Sequence, residues 1–181
     1  MKLGVNLPLD ETILDPDALR DFAQAVEGIG FDYLMNPDHI LAVDMTQRPG
    51  FAYTRDMNTF REPFVTLGYL AGCTKTLELV TGVVVITQRQ TELVAKQAAE
   101  VDVLSRGRLR LGIGVGWNPV EFEQLGQDFH TRGRRMEEQV AVLRALWTQE
   151  DVTFDGQWHH LAGAGIRPMP VQRPIPLWMG G

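Results

Sequence analysis

Short apolar runs alternate with stretches of helical period along this chain, the pattern of βαβ units and a parallel sheet. Residues 2–8 read as a first strand. Asp15 and Pro16 then supply an N-cap and a proline at the first helical position. Leu19, Phe22, Val26 and Ile29 share one face of that helix, and Gly30 is placed to end it in a left-handed cap. Residues 31–36 form a second strand leading into Pro37-Asp38-His39. Glu62-Pro63 opens a second helix with Phe64, Leu67 and Ala71 on its buried stripe, and residues 77–86 make a third strand dense in β-branched side chains. Thr91 is the expected cap of a third helix, with Val94, Ala98, Val101 and Leu104 inward, closed by Ser105-Arg106-Gly107-Arg108. Residues 109–115 give a fourth strand, followed by a short helix to about Leu125. Thr131 is the expected cap of a long helix that aligns Met136, Val140, Leu143 and Trp147. Residues 152–158 suggest a hairpin with an Asp155-Gly156 turn, Pro168, Pro170 and Pro174 mark an extended connector, and residues 175–179 are a fifth strand.

Five strands separated by helices fit either a doubly wound sheet or an unfinished barrel, and periodicity does not choose between them. A (β/α)8 barrel needs about 250 residues, and this chain of 181 stops directly after an apolar strand. The expectation is therefore one domain over 1–181, with insertions at about 40–61 and 152–174, that is a fragment or pairs with another chain.

Hydrophobic residues make up 44% and charged residues 22%, which is ordinary globular usage and excludes disorder for the body of the chain. The net charge of -6 offers no footprint for nucleic acid, and the cluster Arg132-Gly133-Arg134-Arg135 reads as a solvated helix face. One cysteine, Cys73, excludes an internal disulfide and reads as a buried, inert thiol. No secretory leader and no apolar stretch of about 20 residues is present, so the expectation is a soluble cytoplasmic protein with no membrane partner.

In parallel α/β folds the reactive groups lie at the C-terminal ends of strands. Those ends here hold Asn6, Asp38-His39, the run from Thr81-Gly82-Val83 to Gln88, the run from Gly114 through Gly116 and Trp117 to Asn118, and Gly180-Gly181. Asp38-His39 is the best catalytic candidate: a histidine with a carboxylate beside it can be held in one tautomer and exchange a proton. His130, His159 and His160 fall in a connector or hairpin and read as structural, and no metal site is expected. The run Gly112-Ile113-Gly114-Val115-Gly116 fails the dinucleotide fingerprint G-x-G-x-x-G, because the sixth position is Trp117, or Pro119 when counting from Gly114. Its glycines instead suit close approach of a flat ring or a phosphate to the backbone. Phe51, Tyr53 and Phe60 are expected at the pocket mouth, and Arg48, Arg55 and Arg61 read as solvated loop arginines.

The order of motifs resembles the luciferase-like flavin monooxygenase family, in particular its branch using the deazaflavin coenzyme F420. The resemblance covers essentially the whole chain. It rests on Pro37-Asp38-His39, on Thr81-Gly82-Val83 with Gln88-Arg89-Gln90, and on the unbroken stretch from Ala95 to Arg108. That stretch runs into the segment from Leu111 to Asn118 and Glu121-Phe122, with further matches from Arg132 to Glu138, at Phe154-Asp155-Gly156 and from Gln172 to Gly181.

The resemblance implies a (β/α)8 TIM barrel with about its first five βα units present, and a cofactor ring lined by Asn6, Thr81, Gly82, Val83, Gln88, Gly114, Gly116, Trp117 and Asn118. It implies a non-proline cis peptide at Gly82-Val83, and a proton donor or cofactor contact at His39. Some deazaflavin relatives have a catalytic glutamate where this chain has Trp117, so that role does not transfer. The implied activity is an oxidoreductase passing hydride between reduced coenzyme F420 and a small organic substrate. The alternatives are an FMN-dependent monooxygenase using molecular oxygen and a non-catalytic flavin-binding or partner subunit; a homodimer is also implied. Barrel phosphate sites commonly follow strands seven and eight, so the 181 residues alone are expected to bind cofactor weakly.

Overall fold

Asp15 accepts a hydrogen bond from the Asp17 N–H, and Pro16 follows it, so α1 (Pro16–Ile29) starts where the sequence places it. Gly30 closes it with φ of 97°. The computed structural model describes residues 1–44, 48 and 59–180; the expectations for Phe51, Tyr53, Arg55 and Gly181 lie outside them. The remaining helices are α2 (Pro63–Cys73), α3 (Thr91–Leu104), α4 (Pro119–Gln124) and α5 (Arg132–Thr148). The strands are β1 (Gly4–Asn6), β2 (Tyr33–Asn36), β3 (Glu78–Thr81), β4 (Val84–Val85), β5 (Leu109–Gly114), β6 (Val152–Asp155), β7 (His160–Ala164) and β8 (Leu177–Met179).

The strand pairing decides what periodicity left open. β1 pairs β2 and β2 pairs β3, each in parallel. β3 and β4 both lie along one edge of β5, through Leu79↔Leu109 and Val84↔Ile113, and so are two halves of one interrupted strand. β8 pairs the other edge, with Ile113 opposite Met179. Five parallel strand positions therefore follow one another in chain order. A doubly wound sheet reverses its order at a switch point; this sheet has no reversal, which is the arc of a barrel wall.

Leu34, Leu79, Leu109, Leu111 and Ile113 turn outward into a core closed by Leu19, Ala23 and Val26 of α1, Leu67 and Leu70 of α2, Ala95 and Ala98 of α3, and Leu143, Leu146 and Trp147 of α5. The indole of Trp147 donates to the Ala95 carbonyl at 3.1 Å, which satisfies its only polar atom inside that core. Ile29 and Leu104 are exposed; each is the last residue of its helix and lies past the buried stripe.

Several local expectations change. The third strand breaks at Gly82-Val83 and runs into a 3-10 turn at Ile86–Gln88. Gln90, not Thr91, is the N-cap of α3; the Thr91 hydroxyl is instead 2.6 Å from Nε2 of His159 and accepts from Gln139 at 2.9 Å. Thr131 makes no side-chain cap, and Asp128 caps the preceding turn. The β6–β7 connection is longer than a two-residue turn, because His159 is drawn into the body, where its Nδ1 lies 2.7 Å from Glu138. Cys73 is half-buried rather than buried.

Two polar anchors brace the N-terminal end of the sheet. The guanidinium of Arg108 reaches the carbonyls of Ala71, Thr74 and Leu77, so it closes the end of α2 that has run out of amide donors. The sharp reversal before it is made by Arg106 and Gly107, both at positive φ. Oε1 of Glu27 collects the N–H groups of Lys75, Thr76 and Leu77. Burial pushes that carboxyl up, but the backbone bonds prevail and hold it at about 2. A depressed folded-state value means that stability is present above the unfolded value near 4.5 and is lost as the pH falls toward 2. Glu27→Gln is therefore expected to flatten the acid limb of a denaturation profile between those values and to cost about 2 kcal/mol at neutral pH, which urea unfolding at a series of pH values reads directly.

Candidate active site

Asp38 and His39 follow β2 and Pro37, and both border a cavity of about 580 Å³ at the C-terminal ends of the parallel strands. The Asp38 carboxylate accepts from the Val85 N–H at 3.0 Å and from Arg89 at 2.8 Å, with its side chain 1% exposed, while the His39 side chain is 11% exposed. Its ring meets Phe60 edge-on at 4.7 Å between centroids and Trp117 at 5.7 Å. The carboxylate at its Nδ1 belongs to Glu121, at 3.1 Å. The expected pairing of His39 with Asp38 is thus replaced by one with a residue on α4.

Glu121 is buried, its side chain 1% exposed, and it is among the residues that line the cavity. Burial pushes its carboxyl up, while hydrogen bonds from His39, the Leu41 N–H and Gln88 outweigh that and leave it below the usual range. Asn118 caps α4 by accepting from the Val120 N–H, and Pro119 follows it at the first helical position. This capped start places Glu121 one turn in, facing His39.

The lining of the cavity includes Gly82, Gly114, Gly116 and Gly180, where the backbone carries no side chain. Three glycines on alternate positions press against the interrupted strand. A Cβ on Gly112 would lie 1.9 Å from the Thr81 carbonyl oxygen, one on Gly114 would lie 2.6 Å from a Val83 methyl, and one on Gly116 would lie 2.6 Å from a Val85 methyl. The Gly82-Val83 peptide is cis, as the resemblance implies. Apolar walls with little side-chain relief suit a flat aromatic ring laid against the chain, so the residues present fit a flavin-type cofactor.

Of the other candidates, Asp38, Val83 and Trp117 line this cavity with His39. Thr81 donates to the Gly112 carbonyl at 2.6 Å, a bond between strands. Gln88 is buried, with its amide 3.4 Å from Glu121. Asn118 is buried as a cap, and Asn6 is exposed at the end of β1, away from the cavity lining. Arg48 pairs with Glu123. Sequence reasoning assigned no role to Glu121 and took Arg132 for part of a solvated helix face. Arg132 borders the cavity with its guanidinium 3.7 Å from the Phe129 ring centroid, donating to the carbonyls of Gly116 and Phe129. Glu121 had one signal, a carboxylate three residues past an Asn-Pro helix start beside the fourth strand end. Among the described residues no group of three or more His, Cys, Asp or Glu side chains is placed to hold a metal, and no helix is long and apolar enough to cross a membrane.

Comparison with known proteins agrees with this architecture. The profile of the luciferase-like monooxygenase family matches residues 1–181. An uncharacterised protein of Mycobacterium tuberculosis is 32% identical over 165 residues, covering 87% of this chain and 58% of the relative. The FMNH2-dependent dimethylsulfone monooxygenase of Pseudomonas fluorescens is 29% identical over 168 residues, covering 91% of this chain and 43% of that enzyme. Among solved structures, monooxygenase RslO1 from Streptomyces bottropensis superposes with a TM-score of 0.82 at 25% identity, over 99% of this chain and 53% of that one. An F420-dependent secondary alcohol dehydrogenase gives 0.79 at 24% identity, over 100% and 53%. The chain therefore spans about half the length of the curated relatives it matches. The five sequential parallel strands are part of the barrel these structures share, and the chain belongs to the luciferase-like monooxygenase family.

Proposed function

We propose that this chain forms the ring-binding side of an oxidoreductase site, in which hydride passes between reduced coenzyme F420 and a small organic substrate while His39 gives or takes the accompanying proton. The observation that carries the reading is that His39 lines a mostly apolar cavity together with Gly82, Gly114, Gly116 and Gly180. A bound deazaflavin would supply the hydride chemistry itself. Gly82, Val83, Gly114 and Gly116 would hold the ring face, with Trp117 and Phe60 screening water from the rim. Within this arrangement Asp38 is a positioning residue: its bonds to Val85 and Arg89 fix the backbone from which the ring wall is built.

A second reading, an FMN-dependent monooxygenase, is favoured by the 29% identical dimethylsulfone enzyme. The whole protein should be supplied with each reduced cofactor, with and without oxygen, against a panel of ketones, alcohols and small sulfur compounds. Anaerobic turnover with coenzyme F420 is the expected result. Turnover only with FMN and oxygen would replace the first reading by the second, and turnover with neither would leave a binding subunit.

A further inference from the structure

Glu121 receives more hydrogen bonds than any role as a helix surface residue requires. Its Oε1 accepts from the backbone N–H of Ile40 at 2.8 Å and of Leu41 at 3.2 Å. Its Oε2 faces Nδ1 of His39 at 3.1 Å and the Gln88 amide at 3.4 Å. Both oxygens thus face donors, and the side chain is buried at the edge of the cavity. A carboxylate so placed is ionised and can only accept. The hydrogen between Glu121 and His39 must then sit on Nδ1, because the alternative would set the imidazole lone pair against an anion. The neighbouring carboxylate, Asp38, accepts from Val85 and Arg89.

We infer that Glu121 is a positioning residue that locks His39 in the Nδ1–H tautomer, so that Nε2 is the atom through which the proton is exchanged. The same carboxylate ties the backbone of the two residues after His39, so ring orientation and loop start are fixed by one group on α4. Gln88 closes the set from the 3-10 turn that follows β4, which gives this buried amide a place in the site without contact with the cavity. The inference rests on the reading of His39 as the acid/base group, but its first test does not.

That test is nitrogen NMR of the His39 ring in the whole protein, at a pH high enough for the imidazole to be neutral, with the resonance assigned by its loss in His39→Gln. The expected spectrum shows a protonated Nδ1 and an unprotonated Nε2. Glu121→Gln should move the population toward Nε2–H, and Glu121→Asp should restore part of the original state. In the turnover assay Glu121→Gln should lower kcat by about 10²-fold with little change in KM, and Glu121→Asp should recover part of it. A merely structural role would lower the melting temperature and leave the tautomer unchanged. A wild-type ring found as Nε2–H overturns the inference, as does a tautomer indifferent to Glu121→Gln. If Glu121→Gln does not fold, the wild-type spectrum still decides. If the protein shows no turnover with any cofactor, the acid/base reading fails while the spectrum still reports on the lock.

Discussion

Replacing His39 by glutamine is expected to lower kcat/KM by about 10²–10⁴-fold, the range lost when a positioned acid or base is removed. Glutamine is the informative replacement. Its amide reaches about as far as Nε2, so a polar side chain of similar length still fills the site, while Glu121 keeps the N–H donors of Ile40 and Leu41. What it lacks is a group that can give up and regain a proton. The His39 side chain is 11% exposed and packs against Phe60 and Trp117, so alanine would also open a hole and confuse lost chemistry with lost packing. Cofactor binding, followed by fluorescence titration, should change much less than turnover. Full turnover by His39→Gln would remove the acid/base role and leave His39 as a wall residue of the cavity.

What the sequence made legible follows from the range of the physics involved. Helix starts and stops are local events, and the caps at Asp15 and Gly30 could be read from a few neighbouring residues. The position of His39 at a strand end was legible for the same reason. Its partner was not. Asp38 is adjacent in sequence yet accepts from Val85 and Arg89, while Glu121 arrives from 82 residues downstream only once β5 lies beside β3 and β4. The choice between a doubly wound sheet and a barrel arc was equally long-range, since it depends on which edge of β5 receives β8. Gln88 and Asn118 are not among the residues that line the cavity: both are buried, one with its amide 3.4 Å from Glu121 and one capping α4. The strongest stretch of the family resemblance includes Ser105-Arg106-Gly107-Arg108, and this segment braces the opposite end of the barrel. Barrel residues at that end serve stability, and the five bonds donated by the Arg108 side chain show how.

The glycine run of β5 carries the second large expectation. Gly112→Ala should lower the melting temperature by about 6–12 °C, from a loss of at least about 3 kcal/mol. The added Cβ would stand 1.9 Å from the Thr81 carbonyl oxygen, and that neighbour is backbone, with no rotamer through which to yield. The strands cannot part at this point cheaply. Thr81 donates its hydroxyl to the Gly112 carbonyl at 2.6 Å, Val80↔Arg110 pairs on one side of the contact, and Val84↔Ile113 pairs on the other. Relief would require the two halves of the interrupted strand to move away from β5 together, and with them Gly82 and Val83 on the cavity wall. Gly68→Ala in α2 is the matched control: its Cβ meets nothing within 4 Å, and alanine is the better helix former by about 1 kcal/mol. The control should melt at or above the parent temperature, by calorimetry or circular dichroism. A Gly112→Ala protein that melts with it would mean that β5 can stand off from Thr81, and close strand approach would then no longer account for glycine at this position.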